Sequence, residues 1–304
     1  MTKPMHLLSE EEIFMEQPPG FKGQDQKGQE NKVSGKTANI TREISKRLSS
    51  HFEIRDLGKV SYYLGIKMEH NKNGDILLSQ EAKIEQLLQL YQLNEAKPAR
   101  TPMETGFLAG DTENSPLLSN NHQYQQAIGS LLYLATISRL DVAAAVGFLA
   151  RRVETPTQMD WNAVKRIIRY LAGTKNYKLH LSSTSDDILC CFVDADWAGD
   201  KQDRKSTSGY TFKLGSSAIA WSSHKQTSIS MSSTEAEYVA ASHAVKELQW
   251  LRQLLIDMNV LPEGAIPVFE DNQGCIKLIQ SDKFNARTKH IDVYHHQLRH
   301  LREK

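Results

Sequence analysis

The sequence predicts an α/β protein in which a mixed sheet with flanking helices follows a mainly helical region that carries a β-hairpin. Three observations lead there. Residues 182–304 read as β-β-β-α-β-α, the order of a layered α/β domain. In the middle of the chain Trp161, Val164, Ile168 and Leu171 recur at steps of 3, 4 and 3, the spacing of one helix face. Further upstream, Asn73-Gly74 lies between two apolar runs, which is a strong hairpin signal.

Taken in order, residues 22–39 are rich in Lys, Gln, Gly and Asn and nearly devoid of apolar side chains, so they read as a flexible joint. Ile40, Ile44, Leu48 and Phe52 then repeat every four residues, predicting a short helix ended by the Asp56-Leu-Gly58 turn. Two strands are expected within 61–78 and a helix from about Gln80 to Leu93. Pro98 and Pro102 open an extended stretch, residues 108–123 are polar and loop-like, and helix resumes from about Tyr124. The Trp161 stripe predicts an amphipathic helix over 158–172. The short apolar run Ile188–Val193, the alternating Tyr210–Leu214 and Ala218–Trp221, after a Gly-Ser-Ser turn, make a three-stranded antiparallel meander. Ser232-x-x-Glu235 and Thr234-x-x-Glu237 both match a capping box, so a long helix starts at one of them and runs to about Met258. Ile266–Phe269 is one more strand, followed by a helix from about Gln273. A last helix is expected from about His290, with Ile291, Tyr294, Leu298 and Leu301 on one face.

The 304 residues suffice for about two domains. With 39% hydrophobic and 24% charged residues, wholly disordered, collagen-like and disulfide-scaffold classes are set aside. Lys and Arg number 37 against 36 Asp and Glu, a net charge of +1, so any attraction for nucleic acid must come from local patches. One such patch is residues 151–180, where Arg151, Arg152, Lys165, Arg166, Arg169, Lys175 and Lys178 face only Glu154 and Asp160, with Trp161, Tyr170 and Tyr177 interleaved. It is either a solvated helix face or a phosphate-contact surface. Cys190, Cys191 and Cys275 make neither a disulfide framework nor a zinc site, which fits a reducing compartment, cytoplasmic or nuclear. The N-terminus lacks the apolar stretch of a secretory signal. The longest apolar-rich segment, 128–150, is interrupted by Arg139 and Asp141, so neither secretion nor a membrane span is predicted.

Asp194 stands at the end of the first strand of the meander, followed two residues on by Asp196. Asp271 stands at the end of the later strand, after Glu270. Carboxylates at strand ends line the crevice where open α/β sheets bind ligands, although an Asp at a strand exit is also a common turn residue. Counting from Glu237 at helical spacing gives Ala240, Ala244, Leu248, Leu251 and Leu255, so Glu237 points at the sheet, either as a capping device or as part of a site. Three converging carboxylates repel one another unless a cation lies between them, and a divalent metal with oxygen ligands resolves the conflict. Two Mg²⁺ ions on such a cluster are an established apparatus for attack of water on a phosphodiester. Neither a Gly-x-Ser-x-Gly elbow nor a Gly-x-x-x-x-Gly-Lys phosphate loop occurs. His290, His295, His296 and His300 read as a solvated basic helix more readily than as a metal site, because no acidic partner stands at zincin spacing.

Longer motifs carry a resemblance. Phe192-Val-Asp-Ala-Asp-Trp-Ala-Gly199, Arg204-Lys-Ser-Thr-Ser-Gly-Tyr210, Trp221-Ser-Ser-His-Lys-Gln226, Ser232-Ser-Thr-Glu-Ala-Glu-Tyr238, Glu270-Asp-Asn-Gln273 and Arg287-Thr-Lys-His-Ile-Asp292 resemble the ribonuclease H region of copia-type retrotransposon Pol polyproteins. Phe52-Glu-Ile-Arg-Asp-Leu-Gly58, Tyr63-Leu-Gly-Ile66, Thr101-Pro-Met-Glu104, Ile128-Gly-Ser-Leu-Leu-Tyr133 and Arg166-Ile-Ile-Arg-Tyr-Leu-Ala-Gly-Thr174 resemble the thumb and connection of its reverse transcriptase. The resemblance implies three parts: a palm remnant and joint at 1–39, a thumb/connection-like region at 40–181, and a ribonuclease H-like domain at 182–304. It implies hydrolysis of RNA in RNA:DNA hybrids with Mg²⁺ or Mn²⁺ held by Asp194, Glu237 and Asp271, with Asp196 and Glu270 as neighbours. Arg204, Lys205, Lys225, Arg287 and Lys289 are the expected contacts to hybrid phosphates.

The match has two departures. Glu11-Glu-Ile-Phe-Met-Glu-Gln-Pro-Pro-Gly-Phe21 resembles the segment before the polymerase active site and Ser34 to Gly58 the segment after it. No Tyr-x-Asp-Asp stands between or elsewhere, so DNA synthesis by this chain is not expected. The family's final strand and the helix bearing a fourth carboxylate have no counterpart before Lys304, and Asp292 is the nearest substitute. Impaired metal binding is therefore expected. The alternative is a catalytically inactive fragment acting in nucleic-acid binding or protein interaction, with an intact retrotransposon polyprotein as one partner.

Overall fold

The computed structural model describes residues 46–51, 60–104, 106–107, 115–183, 189–258 and 264–280. The chain divides into residues 1–60 and 61–304. In the first unit a helical turn at 46–49 falls within the predicted 40–52 helix. The polar joint, the Asp56–Gly58 turn, residues 108–114 and the last helix with Arg287, Lys289 and Asp292 lie outside the described residues.

In the second unit, strands β1 (Tyr62–Tyr63), β2 (Ile66–His70), β3 (Ile76–Ser79) and β4 (Leu179–Leu181) form an antiparallel sheet in that order. The Asn73-Gly74 signal marks the β2–β3 loop. Asn71 Oδ1 accepts from the backbone N–H groups of Asn73 and Asp75, each at 2.9 Å, and Gly74 takes φ +89, which glycine adopts without a Cβ penalty. Between β3 and β4 come α1 (Glu81–Leu90), α2 (His122–Ile137), a 3₁₀ turn (Leu140–Val142), α3 (Ala143–Ala150) and α4 (Gln158–Gly173). The predicted α4 matches to one residue because Thr157 and Asp160 close a full capping box, and Val164, Ile168 and Leu171 are buried. Trp161 is only half-buried, edge-on to Tyr91 at 5.5 Å. These helices share a core built on Leu87, Tyr124, Leu131, Val146, Val164 and Ile168.

The second sheet contains β5 (Leu189–Asp196), β6 (Thr207–Leu214), β7 (Ser217–Lys225) and β8 (Val268–Phe269), ordered β7-β6-β5-β8. The first three are antiparallel and β8 runs parallel to β5, so the sheet is mixed. β5 and β6 extend past their apolar runs as far as the Asp196–Thr207 pair, because ladder hydrogen bonds join backbones whatever the side chains are. α5 (Ser233–Asp257) lays Ala240, Ala244, Leu251 and Leu255 against Leu189, Cys191, Val193 and Phe212, and α6 (Gln273–Gln280) adds Cys275 to the same core. All three cysteines are free thiols. Trp221 Nε1 donates to the Ala135 carbonyl of α2 at 2.8 Å, tying the second sheet to the helical layer. Among the described residues, no helix is long and apolar enough to cross a membrane.

Phe212 is the fully buried centre of the second core. Its replacement by Ala is expected to cost about 3–5 kcal/mol, seen as a lower urea midpoint at an unchanged slope.

Candidate metal centre

Strand register brings the first two carboxylates together. Cys191 pairs with Val268 and Phe192 with Phe269 in the parallel β5–β8 ladder, and the two phenyl rings stack with centroids 4.9 Å apart. Two residues beyond these rings come Asp194, on the same face of β5 as Phe192, and Asp271, just past the end of β8.

Helix capping then frees the third. Of the two possible boxes, Ser232 is the N-cap, its Oγ accepting from the Glu235 N–H at 3.2 Å, while the Glu235 carboxylate accepts from the Met231 N–H at 2.8 Å. Thr234 has a different task, donating to Asn272 Oδ1 at 3.3 Å. Glu237 is therefore no capping residue, and it enters the site from α5 with 6% of its surface exposed. One carboxylate oxygen each from Asp194, Glu237 and Asp271 lie within 4.8 Å of one another.

The electrostatics are those of a crowded anion cluster. Burial pushes Glu237 up to about 8, the charges of Glu270, Asp194 and Asp271 add to the rise, and a hydrogen bond from the Ala195 N–H opposes it. Its Oε2 is buried and has no hydrogen-bond partner. Glu270 is raised, first by burial and then by its acidic neighbours, and Asp196 by burial and by Asp194.

A pH dependence follows. Glu237 titrates near 8 when folded against an ordinary 4.5, so its contribution to stability is complete below about 4.5. It is lost as pH rises towards 8, because the unfolded chain ionises first. In chelator, the melting temperature is expected to fall over that window, less steeply in Glu237→Gln, and Mg²⁺ should restore it. Parallel slopes for the two proteins in melts across pH would refute the assignment.

Two glycines and one glutamine set this geometry, and sequence reasoning assigned them no role. A Cβ on Gly274 would stand 2.5 Å from Thr234 Oγ1, so only glycine lets the start of α6 approach the start of α5. Asn272 completes that junction by accepting from the Cys275 N–H at 2.9 Å. A Cβ on Gly199 would meet Asp196 Oδ2 at 1.9 Å. Gln226, fully buried, donates to Ser208 Oγ at 3.0 Å and the Ala236 carbonyl at 2.8 Å, and accepts from Ser230 Oγ at 2.9 Å, clamping β6, β7 and the start of α5 together. The sole sequence signal for it was its place at the end of the Trp221–Gln226 motif.

The expected phosphate contacts divide. Lys225 is held by Asp200 and, at 2.8 Å, by Asp203, and Lys205 lies 3.8 Å from Asp203, whereas Arg204 is exposed. The basic segment 151–180 is largely compensated. Arg152 pairs with Asp160, Arg166 with Glu104, Lys175 with Glu85 and Lys178 with Glu69. Arg151 stands 4.0 Å from Asp200, Arg169 bonds the Lys97 carbonyl, and Lys165 covers the Trp161 ring. This favours the solvated-face reading.

Comparison with known proteins defines the class. Residues 30–105 match the family model described as reverse transcriptase (RNA-dependent DNA polymerase). The chain is 37% identical over 276 residues to the retrovirus-related Pol polyprotein from transposon TNT 1-94 of Nicotiana tabacum, covering 88% of this chain and 21% of that protein. The corresponding protein from transposon RE1 of Arabidopsis thaliana is 35% identical over 88% of this chain and 18% of its own length. An uncharacterized mitochondrial protein of Arabidopsis thaliana is 33% identical, with 72% of this chain and 89% of that protein aligned. The protein is thus a retroelement Pol protein with a reverse transcriptase family region. It belongs, more particularly, to the Pol polyproteins of copia-type retrotransposons, and spans about a fifth of the length of the two transposon polyproteins compared above.

Proposed function

We propose that residues 182–304 form a ribonuclease H-like domain that hydrolyses the RNA strand of RNA:DNA hybrids with Mg²⁺ or Mn²⁺ held by Asp194, Glu237 and Asp271. The observation that carries this reading is the convergence of the three carboxylates within 4.8 Å, in which Glu237 also holds a buried Oε2 without a hydrogen-bond partner. The donor set fits the cation: all are hard carboxylate oxygens, the chemistry Mg²⁺ and Mn²⁺ prefer, and the orphaned oxygen lacks any other partner. When bound, such a cation supplies the positive charge that assists in-line attack of water on a phosphodiester.

The protein's own residues do the positioning. Asp194 and Asp271, both exposed, leave the cluster open to a backbone phosphate, while Glu237 anchors it from inside the sheet–helix interface. Gln226 and the Thr234–Asn272 bond hold the starts of α5 and α6 so that the three oxygens stay convergent. The boundary at 182 is supported by β4, which ends at Leu181 and pairs with β3 of the upstream sheet, and by the separation of the two hydrophobic cores there. The upstream region, 40–181, is read as thumb and connection.

Incubation of the purified chain with a labelled RNA:DNA hybrid and Mn²⁺, beside Asp194→Asn, tests this. Cleavage confined to the parent supports the proposal, and no cleavage above the variant refutes it. Hybrid binding that weakens between roughly 50 and 200 mM salt without cleavage would favour the non-catalytic nucleic-acid role instead.

A further inference from the structure

Trp197 is presented in a way that core packing does not explain. The residue is 48% exposed, yet its Nε1 donates to the Ser230 carbonyl at 3.0 Å. Ser230 is itself buried and donates through Oγ to Gln226, which is tied in turn to β6 and to the first turn of α5. One edge of the ring is thus anchored to a rigid network, and much of the ring is left to solvent. A large aromatic side chain normally buries most of its area, so an exposed ring held by its polar edge is preorganised for an external partner.

Its position is specific. Trp197 is the residue after Asp196 and the third after Asp194, at the exit of β5, and Ser230 lies on the segment leading into the helix that supplies Glu237. On either side of Ser230, Ile229 and Met231 are also exposed. The exposed surface formed by the residues that follow Asp194 and those that lead into the Glu237 helix thus includes aromatic and apolar side chains. The nearby cations Lys225 and Lys205 are engaged by Asp200 and Asp203.

A partner that offers phosphate to the carboxylate centre and rings to an aromatic side chain three residues on from Asp194 is a polynucleotide strand. Free phosphate has no face for the ring, and the carboxylates of an acidic peptide bring none, whereas every nucleotide carries a sugar and a base beside its phosphate. We propose that Trp197 is a stacking platform for the sugar–base face of the nucleic-acid strand whose phosphate lies at Asp194, Glu237 and Asp271. This deepens, and rests on, the nuclease reading above. The wide, shallow minor groove of an A-form-like duplex exposes its riboses and base edges to a side chain, and an aromatic ring packed on them is tolerant of sequence.

The test compares the parent chain, Trp197→Phe and Trp197→Ala with a labelled RNA:DNA hybrid. Binding is followed by anisotropy with Ca²⁺ in place of Mg²⁺, and cleavage by kinetics with Mn²⁺. Trp197→Ala is expected to raise Kd and KM about tenfold, the loss of one ring contact, with a much smaller effect on kcat. Trp197→Phe keeps a ring but loses the N–H, and should recover most of that loss. Hybrid binding should also quench tryptophan emission in the parent and quench it less in Trp197→Phe. Equal losses in both variants, accompanied by equal falls in melting temperature, would show that the indole is only a tie to Ser230 and overturn the proposal. Parent-like binding and cleavage by Trp197→Ala would overturn it while leaving the nuclease reading intact. A parent chain that neither binds nor cuts the hybrid removes the nuclease reading first, and the platform with it.

Discussion

Asp194→Asn is expected to reduce metal-dependent cleavage of an RNA:DNA hybrid by at least about a hundredfold, roughly 2.7 kcal/mol of transition-state stabilisation. The substitution keeps the size of the side chain and one oxygen but removes the negative charge that faces Glu237 and Asp271 within the 4.8 Å cluster. Metal affinity should fall with it, measurable by calorimetric titration with Mn²⁺. Because the charges of Asp194, Asp271 and Glu270 all oppose ionisation of Glu237 in the metal-free protein, removal of one relieves repulsion. The variant should therefore melt no lower than the parent in chelator. That separates loss of chemistry from loss of fold: a large drop in melting temperature with the loss of activity would assign Asp194 a structural role. Asp196→Asn, a neighbour outside the trio, should have the smaller effect on cleavage.

Arg139→Met is expected to be strongly destabilising in the helical region. The Arg139 side chain is 3% exposed and binds Asp141 through two bonds, at 2.9 and 2.8 Å. It also donates to the carbonyl and hydroxyl of Thr174 at the end of α4, and its guanidinium lies 5.7 and 5.6 Å from the rings of Tyr170 and Tyr177. Burial pushes Asp141 up, but the Arg139 bonds and charge, with the Tyr170 hydroxyl, hold it below the usual carboxylate range. Removing the cation leaves that carboxylate and a buried carbonyl without their donor, a loss of about 3 kcal/mol, at the low end of the usual range because Asp141 is partly exposed. Arg139→Lys should rescue little, since an ammonium cannot reproduce the forked geometry. Urea unfolding of the three proteins measures this, and a midpoint for Arg139→Met equal to the parent would discard the account.

Sequence reasoning and tertiary structure divide at identifiable places. The α4 boundaries, the Asn73-Gly74 hairpin and the buried stripe of α5 were legible because each depends on residues within one or two turns of chain. Asp194, Glu237 and Asp271 were legible as separate inward or strand-end carboxylates. Their convergence depends on the parallel β5–β8 register and on a glycine at 274 that admits α6 against α5. The charge of Glu270 adds to the rise of Glu237, a juxtaposition that spacing along the chain does not reveal. The basic run 151–180 read as an open choice because its acidic partners, Glu69, Glu85, Glu104 and Asp200, lie far away in sequence.

By itself, then, the sequence determined the α/β class, the order of most elements, the three carboxylates and the kinship with copia-type Pol proteins, through caps, periodicities and motifs that act over short stretches of chain. Only the tertiary structure decided that Leu179–Leu181 completes a sheet begun at Tyr62, that Ser232 caps α5 in place of Thr234, and that Lys225 is bound within the protein. It also tied the Trp197 indole N–H to the Ser230 carbonyl. The physical reason is common to all four. Each outcome is a competition among partners that the chain brings together only on folding, and no local pattern records which partner wins.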